Sequence, residues 1–124
     1  MSDLNGVAHV ILTAGDFARS TAFWRDVITY LDFKIPPYQG KPITMRNIMT
    51  HTAGFQESVR YLISSDPKAV MTLKEQMPLA LPERVFAPGT TPAYSNYATA
   101  LAGYIVERVS GEDFDSYVEN HVFK

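Results

Sequence analysis

The sequence predicts a mainly α-helical chain that opens with a single strand and helix. Three observations predict it. Apolar residues recur at helical spacing over 17–31 and again over 95–109; Asp16, Thr44 and either Ser65 or Asp66 stand where helices need N-caps; and only one run, residues 7–14, is dense in β-branched types. That run, Val-Ala-His-Val-Ile-Leu-Thr-Ala, stops at Gly15-Asp16 and reads as one buried strand followed by a turn. Phe17, Trp24, Val27, Ile28 and Leu31 then share a helical face, which Phe23 and Tyr30 widen. Pro36-Pro37 and Gly40 make 32–42 a loop. Thr44 caps a short helix over 45–49, with Gly54 closing the turn behind it. A further helix is expected from Ser65 or Asp66, with Pro67 in its first turn, to about Met77. Pro78, Pro82, Pro88 and Pro92 make 78–93 a long irregular connection, of the kind that usually carries function or links elements. Over 95–109, Tyr97, Ala98, Leu101, Ile105 and Val109 form one stripe, and Ser110-Gly111 closes the helix. A last helix starts near Glu112-Asp113 and carries Phe114, Tyr117 and Val118.

The 124 residues suit one domain, and 46 % apolar content argues against wholesale disorder. Eleven Lys and Arg against thirteen Asp and Glu leave a net charge of −2, so no basic footprint for nucleic acid is present. Charges interrupt every apolar run before it reaches membrane-spanning length. Residues 1–5 lack the basic start and apolar core of a secretory signal, which makes the cytoplasm the default location. With no cysteine, disulfides, thiolate zinc sites and a cysteine nucleophile are excluded.

Three ordered segments carry a resemblance. Residues 42–55 read Pro-Ile-Thr-Met-Arg-Asn-Ile-Met-Thr-His-Thr-Ala-Gly-Phe; residues 88–97 read Pro-Gly-Thr-Thr-Pro-Ala-Tyr-Ser-Asn-Tyr; and residues 103–111 read Gly-Tyr-Ile-Val-Glu-Arg-Val-Ser-Gly. On these, residues 30–124 resemble the serine β-lactamase and penicillin-binding-protein family, on the side of class C enzymes and related esterases. Residues 6–34 resemble the opening βα unit of the glyoxalase, or vicinal-oxygen-chelate, family, through Gly6-Val7-Ala8-His9-Val10-Ile11-Leu12-Thr13 and the Asp16 to Arg25 helix start. The two resemblances overlap at Tyr30 to Lys34. They imply a chimera: a glyoxalase-like strand–helix segment over 1–34, joined to a truncated β-lactamase-related helical region over 35–124, folded as one compact unit. The expected fold is therefore the partial helical region of the β-lactamase/transpeptidase-like fold.

The lactamase resemblance implies acyl transfer, which needs a serine one helical turn before a lysine that helps remove its proton. No S-x-x-K occurs before residue 34. Ser65-Asp66-Pro67-Lys68 has the spacing, but Pro67 sits awkwardly between nucleophile and base, and a helix cap is the expected role of Ser65. Tyr94-Ser95-Asn96 matches the family's second catalytic element. The resemblance implies catalytic and substrate-binding roles for Tyr94 and Asn96: the phenol in proton transfer, the amide as donor to the substrate's amide carbonyl. Initiating the following helix is the plainer alternative for both. Ser95 reads as a turn residue, since no lysine lies three or four positions on. The family's K-T-G or H-x-G strand has no counterpart, for Lys41 lacks that context and His51 belongs to the earlier motif.

By descent, then, the chain reads as a serine hydrolase fragment acting on a small-molecule β-lactam, peptidoglycan peptide or ester, inactive for want of the S-x-x-K and K-T-G elements. It calls for no cofactor, nucleic acid or membrane. A glyoxalase-like metal enzyme or bleomycin-binding module is the alternative. His9 would be one ligand there, but chelation needs three or more, and His51 and His121 show no matching spacing. A non-catalytic helical binding domain using the cleft around Tyr94 is the third reading. The family's helical region normally packs on a large sheet, so the resemblance also implies either a marginally stable monomer or self-association.

Overall fold

A computed structural model describes residues 27–61 and 64–123. The expected strand over 7–14, His9 and most of the helix over 17–31 lie outside the described residues; of that helix, Val27–Tyr30 forms a 3-10 turn. Among the described residues there are four α-helices and no strand, in the order α1 (Met45–Met49), α2 (Leu73–Leu79), α3 (Asn96–Ser110) and α4 (Phe114–His121). The mainly helical expectation holds, and so does the loop over 32–42, which includes a tight turn where Tyr38 and Lys41 exchange backbone hydrogen bonds of 3.1 and 2.9 Å.

Each helix starts where a side chain can accept from its otherwise unpaired first amides. Thr44 caps α1 in a reciprocal box with Asn47, and Thr72 caps α2 in the same way with Glu75. Ser95 caps α3 through Ala98 N, and Asp113 caps α4 through Ser116 N. Gly111, at φ 78°, ends α3 in the left-handed conformation that glycine adopts without steric cost.

The region before α2 departs from the sequence expectation. Asp66, not Ser65, caps only a 3-10 turn, Pro67–Ala69, and the chain then extends before Thr72 restarts it as α2. The Thr72–Glu75 box competes successfully because it satisfies two groups at once, whereas Asp66 offers a single acceptor to Lys68 N. Pro78 lies inside the last turn of α2 rather than starting the loop; with no N–H to donate, it forgoes one i→i−4 bond just before the helix ends at Leu79.

Helix α3 is the axis of the core. It touches α1, α2, α4 and the 27–30 turn, and Tyr97, Ala98, Leu101, Tyr104 and Ile105 are essentially inaccessible. Ile43, Met45 and Ile48 pack on it from the α1 side, and Met77 and Ala80 from α2. Tyr97 meets Phe55 edge-on at 5.0 Å and donates its hydroxyl to Met77 O at 3.0 Å, which settles the one polar atom that its burial would strand.

The Pro-rich stretch is more ordered than its composition suggests. His51 to Gln56 and Glu83 to Ala93 run antiparallel, joined by Ala93 N to His51 O, Gly89 N to Thr52 O, Val85 N to Gly54 O and Gln56 N to Glu83 O, each 2.8 Å. Prolines cannot donate, so non-proline residues make these bonds and the prolines occupy the positions between.

Three charged side chains secure or burden this arrangement. Tyr104 donates to Asp32 Oδ1 at 2.7 Å, and Arg108 reaches Asp32 Oδ2 at 3.9 Å and Tyr30 O at 3.2 Å, tying the chain after the 27–30 turn to α3. Arg84 lies over the Phe55 and Tyr38 rings at 5.1 and 5.9 Å, yet none of its three guanidinium nitrogens has a hydrogen-bond partner or meets solvent. Burial pushes its pKa down, which marks the charged form as disfavoured there.

Stacking on rings returns about 0.5–2 kcal/mol, less than the several kcal/mol lost by dehydrating a charge. Arg84→Met is therefore expected to raise stability by about 1 kcal/mol, read as a higher melting midpoint; a lower midpoint would contradict the imbalance. The hydrogen bond from the Tyr104 hydroxyl is the main influence holding the Asp32 carboxyl below its usual 3.8, while burial and Asp32 together push the Tyr104 phenol up to about 12. A depressed carboxylate stabilises the fold fully above its unfolded pKa and loses that contribution as pH falls through the folded pKa. Tyr104→Phe should cost about 1 kcal/mol at neutral pH, given the exposure of Asp32. In urea melts the gap between the two proteins should close below pH 3.8; a gap of constant size would assign the loss to packing.

Candidate active site

The antiparallel pairing delivers three side chains to the N-terminus of α3. Ser95 takes the cap position, so Tyr94 stands just before the helix and Asn96 just inside it. Tyr94 is 61 % exposed, whereas Ser95 is 2 % exposed. The Tyr94 hydroxyl donates to Asn96 Oδ1 at 3.1 Å, bringing the two residues singled out in the sequence into direct contact. Ser95 Oγ accepts from Ala98 N at 3.1 Å, and its burial leaves no path for a substrate, in keeping with the turn role expected of it.

Two further residues, which sequence reasoning did not assign to the site, complete it. His51 lies 4.7 Å from Tyr94 ring to ring, and its Nδ1 accepts from Ser95 N at 3.4 Å. Its backbone is held at φ 53°, an uncommon conformation for a non-glycine residue, by the bonds from His51 N to Ile48 O and from Ala93 N to His51 O. Glu57 takes Asn96 N at 3.1 Å and Asn96 Nδ2 at 2.9 Å. These partners are 39 and 44 residues away in sequence, so no local spacing could have paired them. The one signal in the sequence was that His51 falls within residues 42–55, which carry the family resemblance.

The other candidates lie elsewhere in function. Ser65 is exposed beside the 3-10 turn, Asp66 ties the Lys68 amide to that turn, and Ser64 rather than Ser65 bonds Asp66. A serine and lysine on such a turn are not presented by one helical face as the nucleophile–base pair requires. Lys41 closes the Tyr38 turn through its backbone, away from the start of α3 in sequence, and His121 contacts Glu112 at 3.0 Å. No group of three metal-ligating side chains occurs among the described residues. No helix there is long and apolar enough to cross a membrane.

The family's sequence model for β-lactamases matches residues 21–124. The chain belongs to the β-lactamase family. Among curated relatives, this β-lactamase-family chain is 30 % identical over 91 residues to the D-alanyl-D-alanine-carboxypeptidase/endopeptidase AmpH of Escherichia coli, covering 72 % of its own length and 24 % of that protein. It superposes on a D-stereospecific amidohydrolase from a Streptomyces species with a TM-score of 0.67 and 26 % identity, over 94 % of this chain and 38 % of that one. It thus spans about a quarter of the curated relative's length. The match begins at residue 21, before the junction expected at Tyr30, so the helix start assigned to a glyoxalase-like parent falls partly within the β-lactamase family. The glyoxalase resemblance of residues 6–34 finds no support in these comparisons.

Gly54 sets the approach on which the site rests. At φ 80°, a Cβ added to it would lie 2.0 Å from the Phe86 carbonyl oxygen. Gly54→Ala is expected to cost at least about 2 kcal/mol, from left-handed strain plus the clash with backbone that cannot swing away. Denaturation midpoints measure this, and a near-neutral substitution would mean the two segments can separate without loss.

Proposed function

We propose that the chain carries the tyrosine–asparagine half of a serine acyl-transfer site for β-lactam or D-alanyl-peptide substrates, and that these 124 residues bind such ligands without turning them over. The observation that carries this reading is the direct Tyr94–Asn96 hydrogen bond at an exposed helix start. Proton transfer needs a phenol with solvent-side access, and recognition of a substrate amide needs a donor fixed beside it. Asn96 has that donor: its NH2 group carries two hydrogens, and one remains after Glu57 is bonded. A polar cleft of about 310 Å³, bordered by Glu57, Ser58, Arg60, Leu79 and Glu83, adjoins this edge. AmpH is named for cleavage of D-alanyl-D-alanine and the Streptomyces protein for D-stereospecific amide hydrolysis, which supports an amide of that type as the ligand.

Turnover needs a nucleophile, and the chain's one S-x-x-K spacing falls at the exposed Pro67 turn. Losing a single oxyanion-hole donor costs about a hundred- to thousand-fold in rate, and losing the nucleophile removes the covalent step altogether. Intact-mass measurement after incubation with benzylpenicillin, and separately with a fluorophosphonate, is expected to show no adduct. An adduct mapped to Ser65 or Ser95 would show that a nucleophile is present and overturn the non-turnover reading. Binding of benzylpenicillin that perturbs Tyr94 in NMR spectra is expected alongside; no perturbation of Tyr94 or Asn96 would overturn the binding reading.

A further inference from the structure

We propose that Glu57 is a positioning residue: it decides which end of the Asn96 amide faces the Tyr94 phenol and which faces the ligand. The inference rests on the reading of Tyr94 and Asn96 given above. An ionised carboxylate only accepts hydrogen bonds, so it admits the NH2 end of an asparagine and repels the carbonyl end. Glu57 Oε1 takes Asn96 Nδ2 at 2.9 Å, and Oε2 takes the backbone N–H of the same residue at 3.1 Å. The side chain is thereby gripped at two points by one group. With Nδ2 turned to Glu57, Oδ1 is turned to Tyr94, whose hydroxyl donates to it at 3.1 Å.

The chain of consequence is directional. Rotating the Asn96 amide by half a turn would set Oδ1 against the Glu57 carboxylate and strip the phenol of its acceptor. Glu57 therefore orients the Tyr94 hydroxyl without touching it, and keeps the second Nδ2 hydrogen free to meet a substrate carbonyl. It does so from a segment anchored independently of α3, because Gln56 N bonds Glu83 O at 2.8 Å in the antiparallel pairing. The negative charge also faces the start of a 15-residue helix, where the unpaired amides favour an anion. A plain helix-capping role would use the backbone bond alone. The side-chain bond to Nδ2 is what capping does not require.

The test uses the full chain labelled at tyrosine Cζ, with the Tyr94 signal assigned through Tyr94→Phe. Glu57→Ala is expected to move the Tyr94 Cζ signal and the Asn96 side-chain amide signals, although Glu57 and Tyr94 share no bond. Glu57→Gln, which keeps a carbonyl acceptor at the same reach, is expected to return both toward their original positions. Loss of melting temperature in Glu57→Ala with the Tyr94 signal unmoved would reduce Glu57 to a helix cap and overturn the proposal. Should Glu57→Ala not fold, Glu57→Asp, which withdraws the carboxylate by one methylene, is read by the same signals. In the second arm, benzylpenicillin is titrated into each variant, and affinity is expected to fall about tenfold in Glu57→Ala and to recover in Glu57→Gln. Equal affinity in all three proteins would overturn the positioning role. If the unmodified chain does not bind benzylpenicillin, the ligand reading fails by itself, and the Tyr94 signal in the ligand-free arm still decides what Glu57 does.

Discussion

Everything at the candidate site depends on the close passage of Gly54 beneath the Phe86 carbonyl. No other residue type fits there, since the backbone is left-handed at that point and a Cβ would lie 2.0 Å from the oxygen. That contact lets His51–Gln56 run against Glu83–Ala93 with four short backbone bonds. The pairing in turn places His51 under the Tyr94 ring and Glu57 over the first amide of α3. A segment rich in proline and outside any regular element thus becomes a rigid carrier. Its rigidity comes from bonds made by the residues between the prolines, together with the fixed φ of the prolines themselves.

The site shows how one helix start can serve packing and chemistry together. Ser95 spends its hydroxyl on Ala98 N and is buried, which fixes the direction of α3. Its two neighbours inherit that precision: Tyr94 precedes the cap and faces solvent, and Asn96 follows it and faces Glu57. One residue further, Tyr97 turns inward to Phe55 and the Met77 carbonyl. The alternation between inward and outward side chains over four residues holds the site on the core without burying it. The mobile end of a loop could not hold a phenol and an amide within 3.1 Å so economically.

Arg84 is the counterexample within the same pairing. Its backbone takes part in the bridge to Phe55, but its guanidinium enters the interior between two rings and finds no acceptor. Satisfying the main chain there leaves the side chain with no polar partner. Asp32 and Arg108 solve the corresponding problem at the other end of α3, because both keep access to water while they pair. The contrast follows from dehydration, which dominates the energy of a charge that has lost solvent and found no partner.

Much of the architecture was legible from local chemistry alone. Thr44 before 45–49, Gly111 after the Tyr97–Val109 stripe and Asp113 before the last helix act through bonds spanning a few residues, so the sequence itself contains both partners. Tyr94 and Asn96 were singled out through the family resemblance, and their direct hydrogen bond came only with the structure. Over 65–77 the local logic misjudged the start of a helix, because two caps competed and the reciprocal Thr72–Glu75 box was the stronger. What the sequence determined by itself was therefore α1, α3 and α4 with their N-caps, and the core-facing stripe of α3. Only the tertiary structure decided that His51 and Glu57 join Tyr94 and Asn96 and that Arg84 is stranded. Those outcomes depend on bonds across 39 and 44 residues and on the space left by one glycine, neither of which local pattern contains.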